Sequence, residues 1–427
     1  MDIRLSCYGQ ASTGPSLVNR MMASFASGFR DGVDINLGVG YVNEKTIPVA
    51  WFQEAMEAVA RDGAKYRQAF NYGGPEGSPN LIASLRRFLG GMRIGQLDEA
   101  TLGRKRLIVA PCGATSVLDA LAEVMAPGVV VTSDPMYYIY ANALERKGFE
   151  VLAVPEDEEG IGLEALERKL RGLGDRARAI SFFYVVTVNN PSCTILSNAR
   201  RRALLEVAAR LSREQGRRIP IFFDLAYELL LHDPDYPPFV SALPADELDI
   251  AYEIGTLSKV LAPSLRIGYL LGPDGPFMNA MVQKTSDTGF SAPLFVQEMS
   301  SYLLDHRIAA QLRAVNAGYR QKAVAVRDGI QKELGPFLSG CRGGSAGFYF
   351  YLTFAEIETH TDSRFFRHLT RTTGEPRVIY IPGEYCAHPR GDLALEGSRQ
   401  LRLSYGFEEA GPILRALSLM REAAELA

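Results

Sequence analysis

The chain has 427 residues, 47% hydrophobic and 22% charged, with a formal net charge of −3. That length predicts a large core with a second domain, and the interspersed charge excludes a basic face for nucleic acid or an anionic membrane. Five scattered cysteines (Cys7, Cys112, Cys193, Cys341, Cys386) without CxxC spacing argue for free thiols and against a metal. An opening without signal-peptide character, and apolar runs short of ~18 residues, make a soluble, cytoplasmic protein the expectation.

The first 45 or so residues carry little pattern and are expected to lie against the second domain. From about residue 50, short apolar runs alternate with helical patterns. RLIVA (106–110) reads as a buried strand. In GATSVLDALAEVM (113–125), Val117, Leu121, Val124 and Met125 share one helical face. GVVVTSDP (128–135) is a strand ending in a turn, and ANALERKG (141–148) a short helix stopped by Gly148. AISFFYVV (179–186), IPIFFD (219–224), DIAYEIG (249–255) and RIGYLLG (266–272) are further strands. Apolar strands without strict alternation imply a largely parallel sheet covered on both faces, an α/β layer. Beyond residue 293 comes one very long helix or two in series. A smaller α+β region follows, with GFYFYLTF, VIYIPG, LRLSYGF and a closing helix, PILRALSLMREAAEL. The expected division is a segment over 1–49 packing with the small domain, a large cofactor-binding domain over 50–310 and a small domain over 311–427.

In an open α/β sheet, ligands bind beyond the carboxyl ends of the strands. After RLIVA comes CGATS (112–116), small residues opening a helix whose N–H groups suit a phosphate. After GVVVTSD comes Tyr137, which by itself suits either core packing or stacking on a ligand ring. TVNNPS (187–192) follows AISFFYVV, and Asp224 and Tyr227 follow IPIFF. A carboxylate ending a buried strand calls for a cation. After IAYEIGT comes Lys259, with Arg266 seven residues on. Phosphate cradle, aromatic plate, amide, carboxylate, phenol, amine and guanidinium together suit one molecule, the phosphorylated aromatic aldehyde pyridoxal 5′-phosphate (PLP). An amine in a desolvated cationic pocket is nucleophilic and forms a Schiff base with that aldehyde.

These motifs make the chain similar to the fold type I PLP enzymes, aminotransferase class I/II, over nearly its whole length. TLSK with PSLRIGY (263–269) resembles the family's Schiff-base motif and phosphate-binding Arg. DLAYELL (224–230) resembles its Asp-x-x-Tyr segment, and NNPSCTILS (189–197) its Asn-Pro-Thr-Gly loop. YGGPEGSPNLIASLRRFL (72–89) resembles the Tyr…Gly…Leu-Arg stretch, while GGSAGFYFYLTF (343–354) and LRLSYGF (401–407) resemble the small-domain strands.

The resemblance implies a homodimeric aminotransferase exchanging an amino group between an L-amino acid and a 2-oxo acid. It makes Lys259 the Schiff-base lysine and proton carrier, and Asp224 the partner of the pyridine N–H. Asn190 and Tyr227 meet the ring oxygen, and Tyr137 stacks on the ring. Ala114, Thr115, Ser258 and Arg266 hold the phosphate, with Tyr72 reaching it from the neighbouring subunit. Arg402 forks onto the substrate carboxylate, and Gly38-Val39-Gly40 closes over the substrate. No metal, nucleic acid or membrane partner is implied.

The sequence departs from the family pattern at Cys193, where the loop's glycine is expected. A side chain in the left-handed region costs about 1–2 kcal/mol, so the loop is expected to turn differently, with Asn189 a possible stand-in for Asn190. Dicarboxylate-specific members use a second Arg after the phosphate Arg. None lies between Arg266 and Arg307, only Lys284, which disfavours an aspartate aminotransferase of that kind. A dinucleotide fingerprint at Gly38 and Gly40 fails because Asn43 holds its third glycine position. Thr256 spoils a serine-nucleophile S-x-x-K motif at Lys259. A transcription-factor sensor domain would need a DNA-binding module ahead of residue 45. Elimination, decarboxylation or oxygen-dependent oxidation on the same scaffold is the rival chemistry, because the cofactor alone does not select the bond that breaks.

Overall fold

The computed structural model describes residues 3–372 and 374–427. Its central sheet has eight strands. They are β1 (Lys105–Val109), β2 (Val129–Asp134), β3 (Glu150–Asp157), β4 (Gly160–Ile161), β5 (Ile180–Val186), β6 (Ile221–Asp224), β7 (Ala251–Thr256) and β8 (Gly268–Pro273). Their order is β1-β8-β7-β6-β5-β2-β3-β4. The long strands run parallel except β8, which is antiparallel to both neighbours, and β4 closes a short antiparallel hairpin with β3.

Burial on both faces explains the unbroken apolar runs. Phe182, Tyr184 and Val186 of β5 join one core cluster with Val117, Leu121 and Leu270. Phe183 and Val185, between them, join the opposite cluster with Leu107, Val131 and Phe223. Alternate side chains thus enter different apolar layers, and neither layer demands polar residues. The strand over Glu150–Asp157 escaped the sequence reading, because its acidic ends and internal Pro155 obscure it. Helix Tyr138–Arg146 begins three residues earlier than the pattern suggested.

Beyond residue 293 the sequence allowed one helix or two. The chain forms two, Leu294–His306 and Ile308–Glu333, broken at Arg307 with φ −128°. A second, antiparallel sheet follows, with Tyr349–Phe354 and Gln400–Ser404 inside, Leu338–Gly343 on one edge and Ile381–Pro382 on the other. Ile35–Asn36 pairs with Val378–Ile379, and Val18 of helix Leu17–Ala26 clusters with Tyr351, Ile381 and Cys386. Val18 thus meets the second sheet, whereas the Tyr8 ring lies 5.8 Å from the Arg146 guanidinium at the end of helix Tyr138–Arg146. Among the described residues, no helix is long and apolar enough to cross a membrane.

Candidate active site

Strand register assembles the site. Val186, Asp224 and Ile254 lie side by side at the carboxyl ends of β5, β6 and β7. β8 starts where β7 ends, Gly268 facing Thr256, so its reversed direction returns Arg266 to the same edge. The cleft there is lined by Ala114, Thr115, Tyr137, Asn190, Asp224, Tyr227, Ser258, Lys259 and Arg266, all anticipated from the sequence. Tyr184, Ala226 and Thr256 also line it and were not anticipated.

One end suits an anion. Ala114 and Thr115 sit in the first turn of helix Gly113–Val124. Arg266 adopts φ +53°, and its guanidinium donates to Pro263 O and Cys112 O, each at 3.1 Å. A Cβ on Gly113 (φ +66°) would stand 2.9 Å from Arg266 Nη2, and one on Gly268 would stand 2.3 Å from Ala114 N. Glycine at both positions lets the strand, the helix start and the guanidinium converge. Thr256 Oγ1 donates to Ile267 O at 2.8 Å and accepts from Ser258 N at 3.1 Å, bracing the turn before Lys259.

In the middle, Asp224 accepts from Tyr184 Oη at 2.8 Å and from Ala226 N at 3.0 Å. Burial pushes its carboxyl up to about 6, the state of an acid awaiting a cation. Lys259 Nζ donates to Gly40 O at 3.1 Å and stands 5.5 Å from the Tyr227 ring and 5.6 Å from the Phe348 ring. Desolvation, then the Arg402 and Arg266 cations, bring its amine down to about 8, against the opposing pull of Asp224.

At the far end Arg402 is buried, on an inner strand rather than an edge. It donates to Asn190 Oδ1 at 2.8 Å and Gly38 O at 2.6 Å, and lies 4.4 Å from the Tyr349 ring centroid. Its Nε has no partner. A buried guanidinium keeps its charge, and its N–H groups favour an anionic partner. Val39 is half-buried in the segment between Gly38 and Gly40 that spans the two contacts.

The Asn-Pro loop corrects one expectation. Cys193 does adopt the left-handed conformation, with φ +52°, so the loop turns as a glycine-bearing one would. Cys193 N donates to Asn189 O at 2.7 Å, and Gly347 (φ +65°) makes room, since a Cβ there would stand 2.7 Å from Cys193 Sγ. Asn189 is consequently no stand-in. Its amide turns away to Pro135 O and Glu156 Oε2, both at 2.9 Å, and Asn190 faces the cleft.

Tyr72 lies outside its own chain's cleft. It is 82% exposed, 6.0 Å from the Phe290 ring, beside Phe70 stacked on Phe295 at 5.0 Å. Besides Ala226 and Thr256, sequence reasoning missed Tyr184 and Tyr349. Tyr184 sits mid-strand in a run apolar on both faces, where no alternation marks it. Tyr349 Oη lies 2.9 Å from Tyr227 Oη, and the Asp-x-x-Tyr spacing was the only available pointer to that pair.

A paired acid, a nucleophilic amine and an anion cradle within one cleft fit PLP, a phosphorylated, protonatable pyridine aldehyde. Among the described residues, no cluster of His, Cys, Asp and Glu is arranged to hold a metal.

The sequence model of the family "Aminotransferase class I and II" matches residues 33–410. The chain is 24% identical over 301 residues to an uncharacterized aminotransferase of Saccharolobus solfataricus, covering 70% of this chain and 71% of the relative. It is 25% identical to the uncharacterized HTH-type transcriptional regulator YisV of Bacillus subtilis, covering 91% of this chain and 73% of the relative. The multiple substrate aminotransferase of Thermococcus profundus shares the fold with a TM-score of 0.85 at 19% identity, over 99% of this chain and 97% of that one. The chain belongs to the aminotransferase class I and II family and is a PLP-dependent transferase of amino groups.

Proposed function

We propose that this aminotransferase acts on an L-amino acid through Lys259, Asp224 and Arg402, with a 2-oxo acid as the returning acceptor. PLP, when bound, supplies an electrophilic carbon for the amino group and an electron-accepting ring. Ala114, Thr115, Ser258 and Arg266 would hold its phosphate, and Tyr137, Asn190 and Tyr227 would hold its ring and ring oxygen. Asp224 would pair with the ring nitrogen and keep its proton. Lys259 would supply the amine for attachment and carry the proton taken from the substrate Cα. Arg402 would bind and orient the substrate carboxylate, and Gly38, Val39 and Gly40 would shut out water.

The observation that carries this reading is the Lys259 amine and the Asp224 carboxyl lining one cleft, with the Arg402 guanidinium behind it donating to Asn190 of the same cleft. No Arg lies between Arg266 and Arg307, and Lys284 pairs with Glu123. Both support substrates without a side-chain carboxylate bound by an Arg of that segment. The exposed aromatic face of Phe70, Tyr72 and Phe290 supports a homodimer in which Tyr72 completes the partner's phosphate site; a cytoplasmic location belongs to the same reading. The divisions near residues 50 and 310 belong to the same reading. The test is a panel of amino acids added to the holoenzyme while its visible spectrum is followed. Full conversion to the pyridoxamine form, reversed by a 2-oxo acid, is expected. Ammonia or peroxide release without conversion would overturn the reading.

A further inference from the structure

Among the buried carboxylates outside these roles, one touches the Asn-Pro loop. Glu156 of β3 has a side chain only 1% exposed. Its Oε1 accepts from Thr194 Oγ1 at 2.9 Å, and its Oε2 from Asn189 Nδ2 at 2.9 Å. Both donors belong to the Asn-Pro loop. The remaining partner comes from the second sheet, where Arg342 Nη1 donates to Oε1 at 3.1 Å. Arg342 Nε also lies 3.7 Å from Glu158.

Three segments meet at this carboxylate. Asn189 Nδ2 also faces Pro135 O at 2.9 Å, in the turn that leads to Tyr137. The next residue, Asn190, accepts from Arg402 at 2.8 Å. The loop between them carries a side chain at its left-handed position, Cys193, so its shape needs fastening from outside. A buried carboxylate is tolerated only while its oxygens are satisfied. Here Thr194 and Asn189 of the loop meet both oxygens, and Arg342, carried by the second sheet, supplies the balancing charge.

We propose that Glu156 is a positioning residue which, with Arg342, forms the joint that sets the Asn190–Arg402 fork against the Tyr137 plate. Binding of the substrate carboxylate then depends on a contact made across the two sheets, on the opposite side of the loop from the cleft. The proposal rests on the carboxylate-binding role given to Arg402.

The test uses holoenzyme and an unreactive α-methyl amino acid, whose Kd is read from the cofactor's visible absorbance. In Glu156→Gln the Kd rises about tenfold, the loss expected of one charge-assisted bond, and kcat/KM falls in parallel. Arg342→Met, a change at a partly exposed side chain, keeps the test open if Glu156→Gln does not fold. It weakens binding similarly, the double variant adds little, and Arg342→Lys restores part. Alkylation of buried Cys193, mapped by mass spectrometry, quickens in both variants because the loop is released. A merely structural role would lower the active fraction and leave the Kd of the surviving sites unchanged; that result overturns the proposal. Arg402→Lys separates the two ideas. If it leaves the Kd unchanged, the reading of Arg402 falls and this proposal with it. If it weakens binding while Glu156→Gln and Arg342→Met do not, only the joint is refuted.

Discussion

The lowered amine of Lys259 predicts how the apoprotein captures its cofactor. At pH 7 an amine with a pKa of about 8 is neutral about one-tenth of the time, against about three parts in ten thousand for a lysine at 10.5. The structure thus confers a roughly 300-fold larger reactive fraction. The assay is stopped-flow capture of PLP by apoprotein across pH, followed in the visible. The rate should rise with pH and level off above about 8. Arg402→Met removes a cation that lowers the amine, so the midpoint should move up. Asp224→Asn removes the anion that raises it, so the midpoint should move down. A stability test follows from the same shift. Below about pH 8 folded and unfolded chains both hold the proton, and above 10.5 neither does. Between these values only the unfolded chain holds it, so apoprotein stability should rise with pH, by up to about 3 kcal/mol. Subtracting the same curve for Lys259→Met isolates this contribution from other groups. A capture midpoint near 10.5, or identical stability slopes in the two proteins, would refute the reasoning.

Borohydride reduction of holoenzyme followed by peptide mapping should place the pyridoxyl group on Lys259, and label on Lys45 or Lys284 would sink the assignment. Asp224→Asn should fold normally yet slow Cα proton removal by several orders of magnitude, because an amide cannot hold a positive ring; near-normal single-turnover rates would contradict this. Lys259→Ala and Tyr72→Phe chains, each impaired, should regain activity when mixed, since hybrid dimers would contain one intact site. A fully active monomer in sedimentation would defeat that expectation. Gly347→Ala should lower Tm, because its Cβ would sit 2.7 Å from Cys193 Sγ at a backbone angle side chains avoid. Cys193→Gly should recover part of that loss, and simple additivity of the two changes would show that they do not share the space.

Much of this site was legible in the chain. Strand ends in a parallel sheet share one edge, so residues following apolar runs, such as Asp224, Asn190 and Lys259, fall together without knowledge of the tertiary structure. Local chemistry also marked the helix start at Gly113 and the Arg266 turn. Tertiary structure decided what local pattern does not encode. The reversal of β8 returns Arg266 to the cleft, a matter of strand pairing rather than propensity. Cys193 occupies a left-handed position because Gly347, 154 residues away, vacates the space it needs; intrinsic preference argued otherwise and packing won. Tyr184 meets Asp224, and Glu156 meets Arg342, across strands and sheets whose apolar surroundings give such residues no periodic signature. Sequence pattern reports which residues leave water, whereas their partners are chosen only when distant segments pack.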